Sequence, residues 1–180
     1  MKTYIIAAVL LVAFAGTISY LYDHLVARRA ARRERVKLLA QLVSLPPVKA
    51  DFSTPEGVVL CLEDSYRHRN IEAAVACRDF GTEAGLWLQE RGHLSRQVKD
   101  EMLTETIRAM EKSFRDRIAK ETTIDWERAK SYFLAREPFS DGIVVVNKIT
   151  QLPDGYLLPQ QILVAETTSG WRIVKHLPNV

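Results

Sequence analysis

Three patterns of apolar and polar positions follow one another along the chain. The first is an unbroken apolar run from Tyr4 to Tyr22, nineteen residues without a charge. At about 1.5 Å of rise per residue, a helix of that length covers roughly 28 Å, close to the hydrocarbon thickness of a bilayer. A globular helix would carry a polar stripe, and this run has none. It predicts a transmembrane anchor over residues 1–23. The small-x-small step Ala13-Phe14-Ala15 behind Met1-Lys2 also fits a cleaved export signal. The apolar character, however, continues past the ~7 to 15 residues of a signal's core.

The second pattern has a helical period. Nothing breaks a helix from His24 to Leu45, and Pro46-Pro47 stops it, which predicts a basic stalk over 24–45. Val36, Leu39 and Val43 return to one face of it. Residues 46–53 read as a linker, and a domain follows over 54–180. Thr54-Pro55-Glu56 carries a cap, a first-turn proline and an acid for the positive end of the helix, so a helix runs from there to about His68 with Val59, Leu62 and Tyr66 on one face. Asn70 caps a second helix, Ile71 to Arg78, which Asp79-Phe80-Gly81 breaks. Thr82 starts a third, with Leu86 and Trp87, that ends at Gly92. Between Ser95 and Glu121 the residues Val98, Met102, Leu103, Ile107, Met110, Phe114 and Ile118 recur every three or four positions, an amphipathic helix of over six turns.

After Asp125-Trp126 the period shortens to that of strands. Tyr132 to Glu137, Ile143 to Leu152, Tyr156 to Thr168 and Trp171 to Leu177 are rich in Val, Ile, Tyr and Trp, separated by Ser140-Asp141-Gly142, Pro153-Asp154-Gly155 and Ser169-Gly170. Such short turns make consecutive strands antiparallel neighbours. Pro159 predicts a bend or bulge in the third strand. In the last strand Trp171, Ile173, Lys175 and Leu177 are expected on one face, with Arg172, Val174 and His176 on the other. Helices followed by a meander predict an α+β domain, its helices packed on one face of one curved antiparallel sheet.

The helical hairpin TPEGVVLCLEDSYRHRNIEAAVACRDF, the long helix, and the closing Pro153-Asp154-Gly155-Tyr156 and Ser169-Gly170-Trp171-Arg172-Ile173-Val174 carry a resemblance. Over about residues 53–178 the chain resembles the nuclear transport factor 2-like superfamily, a cystatin-like α+β cone. The TPEG opening and GWRIV ending are similar to its branch of immunity proteins from bacterial polymorphic toxin systems. Enzymes of the superfamily use a polar pocket inside the cone, and the resemblance then implicates Tyr66, Asp79, Trp87 and Glu166. The immunity branch implies instead a non-enzymatic, membrane-anchored binder of a protein partner, a toxin domain. A single span followed by this fold also resembles bitopic assembly factors of secretion systems and the import-motor anchor of mitochondria, which implies a scaffold able to form a homodimer. A small-molecule binder or isomerase-like enzyme is the third alternative.

Charge changes this picture in two ways. Residues 1–50 hold eight Lys+Arg against two Asp+Glu, a net of +6, and the remainder holds 17 against 20, a net of −3. The basicity therefore belongs to the stalk and gives the domain no reason to bind nucleic acid. Arg28, Arg29, Arg32, Arg33, Arg35 and Lys37 flank the span; they fix topology and would also attract anionic headgroups. They favour a single pass through a cell inner membrane with the domain in the cytoplasm. The signal-like front favours the periplasm. The negative domain makes Glu63, Asp64, Glu101 and Glu105 candidate exposed contacts for a basic partner, or ordinary solvated helix faces.

His24, His68, His93 and His176 are scattered with no ligand spacing, so no metal and no cofactor are expected. Cys61 and Cys77 face each other if the first two domain helices fold back around Arg69-Asn70. They are then either within reach of a disulfide or two small apolar residues of the core.

Overall fold

The computed structural model describes residues 32–92, 99–120 and 125–178. The anchor expected over 1–23 lies outside the described residues, as do Arg28 and Arg29. Among the described residues no helix is long and apolar enough to cross a membrane. The chain divides into two compact units, residues 1–45 and 46–180. In the first, helix α1 covers residues 32–43, with Arg32, Arg33, Arg35 and Lys37 all exposed. Val36 and Val43, two of the three residues expected to share an apolar face there, are exposed as well.

The second unit is α+β. Helices α2 (Pro55–Arg67), α3 (Ile71–Ala76), α4 (Phe80–Glu90) and α5 (Lys99–Lys120) precede strands β1 (Lys130–Ser140), β2 (Ile143–Gln151), β3 (Leu157–Thr167) and β4 (Gly170–Leu177). The strands form one antiparallel sheet in the order β1-β2-β3-β4. Thr54 caps α2 by accepting from Gly57 N–H, and Asn70 caps α3 by accepting from Ala73 N–H, so both helices start where side-chain oxygens satisfy the first free donors.

Asp79 does not break the helical segment in the expected way. Its carboxylate accepts from both the backbone N–H and the hydroxyl of Thr82, so α4 begins at Phe80 and Asp79 is its cap. Phe52, in the stretch read as a linker, packs against the core, and its carbonyl accepts from Trp171 N–H.

One face of the sheet presents Val146, Ile162, Val164 and Ile173 to Val58, Val59, Leu62, Ala74, Phe80 and Phe114, so α2, α3, α4 and α5 all contribute to the main core. Burying each such aliphatic side chain stabilises the fold by about 1.5–3 kcal/mol. A smaller cluster of Val145, Leu163, Ala165 and Val174 has Leu86 of α4 packed against it. Thus α4 reaches both clusters rather than one face alone.

Two expectations about the strands are corrected. The β2–β3 register runs without a shift from Ile143↔Ala165 to Gln151↔Leu157, straight through Pro159. Strand β4 ends at Leu177↔Gln161, two residues short of Pro159, so the missing N–H costs no ladder bond on that side. The irregularity lies instead between Leu163 and Val164, where Val174 is the extra residue of β4. A bulge reverses the alternation beyond it. Leu177 accordingly packs with Val174, not with Trp171 and Ile173.

Candidate functional site

Three of the buried polar residues, Glu63, Lys148 and Thr150, meet in the interior of the domain, where the helix-facing side of β2 continues from Val144 and Val146 to Lys148 and Thr150. The alternation of a strand puts all four on one face. Lys148 is 3 % exposed and Thr150 is buried. Opposite them, α2 carries Glu63 one residue after buried Leu62 and four after buried Val59, which turns the carboxylate inward; it is 2 % exposed.

Lys148 Nζ donates to Glu63 Oε1, and the Ser131 hydroxyl donates to the same oxygen at 2.6 Å. Ser131 Oγ lies 3.5 Å from Thr150 Oγ1, which donates to Gln160 Oε1 at 2.9 Å. On the second carboxylate oxygen, Glu63 Oε2, no hydrogen bond falls among the described residues, and Arg67 Nη2 stands 3.7 Å away. Arg67 Nε donates to the Trp126 carbonyl at 2.9 Å. The Trp126 ring lies 5.4 Å from that of Tyr66, and Lys148 Nζ is 5.9 Å from its centre. Burial pushes the Lys148 ammonium below the ordinary lysine range, against the pull of Glu63. Five elements or turns therefore converge on one ion pair, whose acid and base neutralise each other.

The expected pocket residues are not brought together. Tyr66 borders this cluster through Trp126. Asp79 is the cap of α4. The Trp87 ring lies on the same helix under the Arg91 guanidinium, at 4.2 Å. Glu166 is exposed on β3, in register with Trp171 near the β3–β4 turn.

Of the expected contact residues, Glu63 is corrected outright: it is an interior residue. Asp64, Glu101 and Glu105 are exposed, and Asp64 stands 3.6 Å from Arg67. Sequence reasoning missed Lys148, Ser131, Thr150, Gln160 and Arg67. A usable signal was present, since Lys148 and Thr150 follow Val144 and Val146 at strand period. Among the described residues no group of three or more His, Cys, Asp or Glu side chains is placed to hold a metal ion. Cys61 and Cys77 are free thiols packed on the main core.

The two edges of the sheet differ. On β4, Trp171 N–H donates to Phe52 O, Ile173 N–H to Cys77 O, and Ile173 O accepts from Asp79 N–H, so chain from outside the sheet covers that edge. Among the described residues, strand β1 pairs only with β2. Its residues Leu134 to Ser140 are all exposed, with Leu134 at 46 % and Phe139 at 52 %. Register shifts between Phe133 and Arg136 and between Pro138 and Ser140, with Pro138 itself, blunt this edge against pairing with further strands. Compared with known proteins, the chain matches no family model, no curated protein and no solved structure.

Proposed function

We propose that this chain is a membrane-anchored, non-enzymatic protein-binding module with a nuclear transport factor 2-like domain, and that a toxin-immunity role is the form its sequence resemblance implies. The observation that supports this best is the commitment of interior acid and base to each other. Glu63 and Lys148 are paired and buried, which leaves neither as a free base or acid for a substrate. Contact-forming groups lie outside instead, on β1 at Leu134 and Phe139 and on the helices at Asp64, Glu101 and Glu105. Apolar side chains supply affinity when a partner covers them, and the excess of acid in residues 51–180 steers a basic partner toward them. The anchor holds the domain beside a cell inner membrane, on the cytoplasmic side favoured by the flanking arginines.

The test is a binding titration of the detergent-solubilised full chain against coexpressed candidate toxin domains. Leu134→Asp with Phe139→Asp is expected to weaken binding at least tenfold, while Glu63→Met with Lys148→Met leaves it unchanged. Loss of binding in the interior variant alone, with the fold intact by circular dichroism, counts against the outer surface and for the pocket.

A second reading, a self-associating bitopic scaffold, is favoured by exposed Val36 and Val43 on α1. Crosslinking in membranes separates the two: a dimer joined through Val36→Cys supports the scaffold, and its absence supports the simple binder.

A further inference from the structure

Glu63 uses only half of its carboxylate inside the domain. Lys148 Nζ and the Ser131 hydroxyl both donate to Oε1, while Oε2 receives no hydrogen bond among the described residues although the side chain is 2 % exposed. Buried polar atoms are nearly always hydrogen-bonded, because an unpaired one gives up its contact with solvent and gains nothing in return. An oxygen so enclosed points to a small partner that is not a side chain.

Arg67 sets the size of that partner. Its Nη2 stands 3.7 Å from Oε2, too far for a direct hydrogen bond. The guanidinium is held there from two other sides, since Nε donates to the Trp126 carbonyl at 2.9 Å and Nη1 stands 3.6 Å from Asp64. A single water about 2.8–3.0 Å from each atom spans the gap, donating to Oε2 and accepting from Nη2. Charge excludes other small occupants: a cation at Oε2 would sit beside Lys148 and Arg67, and an anion would face the Glu63 carboxylate itself. A neutral molecule that both donates and accepts meets neither penalty. The Arg67 side chain is 28 % exposed and Tyr66 and Trp126 are half-buried, so the boundary with solvent lies along this flank of Glu63.

We propose that one ordered water bridges Glu63 Oε2 and Arg67 Nη2 and is a fixed member of the interior network. The bridge extends the α2–β2 ion pair to the segment before β1, because Arg67 carries it on to the Trp126 carbonyl. Trp126, whose ring centre lies 5.9 Å from Lys148 Nζ, is then held in place by the same carboxylate that neutralises the lysine. Such a water is part of the structure, and it needs neither the partner nor the anchor proposed above.

Oxygen-17 magnetic relaxation dispersion on the full chain in detergent micelles counts the waters that stay inside a protein for longer than it takes to tumble. The wild type is expected to hold one such water more than Glu63→Met with Lys148→Met, a variant that loses acid and base together and so strands neither charge. Equal dispersion in the two proteins overturns the proposal. Crystals of the wild-type full chain, diffracting far enough to show ordered water, give a second reading that needs no variant. The expected result is one spherical density peak within hydrogen-bond distance of both Oε2 and Nη2. Arg67 closed directly on Oε2, a bare Oε2, or an elongated peak from a larger polar guest each overturns it.

Discussion

Lys148 of β2 and Glu63 of α2, 85 residues apart in sequence, form a hydrogen-bonded ion pair with both side chains 2 % exposed. Removing either partner strands the other charge in the interior. Glu63→Ala or Lys148→Ala is expected to lower stability by about 3–5 kcal/mol, whereas the double change to Met is neutral or stabilising. Urea unfolding of the full chain in detergent reads both. A double variant as damaged as the singles would show that the pair does more than neutralise itself.

Asp79 serves α4 as a cap, which predicts a graded series. Asp79→Ala loses about 1 kcal/mol, while Asp79→Asn, which can still accept from Thr82, loses little. Thermal unfolding distinguishes this from a catalytic carboxylate, for which the amide is as harmful as alanine to activity and harmless to stability.

The β3–β4 turn depends on Gly170, with φ at 103° and a hypothetical Cβ only 2.5 Å from the Phe52 carbonyl oxygen. Gly170→Ala combines left-handed strain with a backbone clash and is expected to cost at least about 1–3 kcal/mol. It also pulls Phe52 from Trp171, so hydrogen exchange at the Trp171 amide should rise. Unchanged protection there would contradict the role given to Phe52.

Burial and the neighbouring Cys61 raise the Cys77 thiol from its ordinary 9.0 to about 12. The unfolded chain then loses this proton at a pH where the folded one keeps it. Stability therefore falls as pH climbs from 9.0 toward 12, and Cys77→Ala flattens that slope. Iodoacetamide should label Cys77 in the native chain far more slowly than after denaturation; equal rates would place the thiol outside the core.

The sequence made much of this architecture legible because its punctuation is local. Thr54 and Asn70 cap the helices expected of them, and glycine-containing turns separate the four strands. What was not legible depends on contacts across the fold. Glu63 looks like a solvated acid until Lys148 is known to face it. Asp79 looks like a breaker because its capping role needs the geometry of Thr82. The change of face at Leu177 follows from a bulge at Val174 that alternation along β4 cannot reveal. The blunted β1 edge was missed for the same reason, since its shifts are set by pairing with β2.

The outer-surface assignment is tested most directly by placing a photo-crosslinking residue at Phe139 and, separately, at buried Ile162, and irradiating intact cell membranes. A discrete adduct from Phe139, identified by mass spectrometry as a different polypeptide and absent from Ile162, is the expected result. An adduct only with a second copy of this chain, or none from Phe139 while the domain remains folded and anchored, would contradict it.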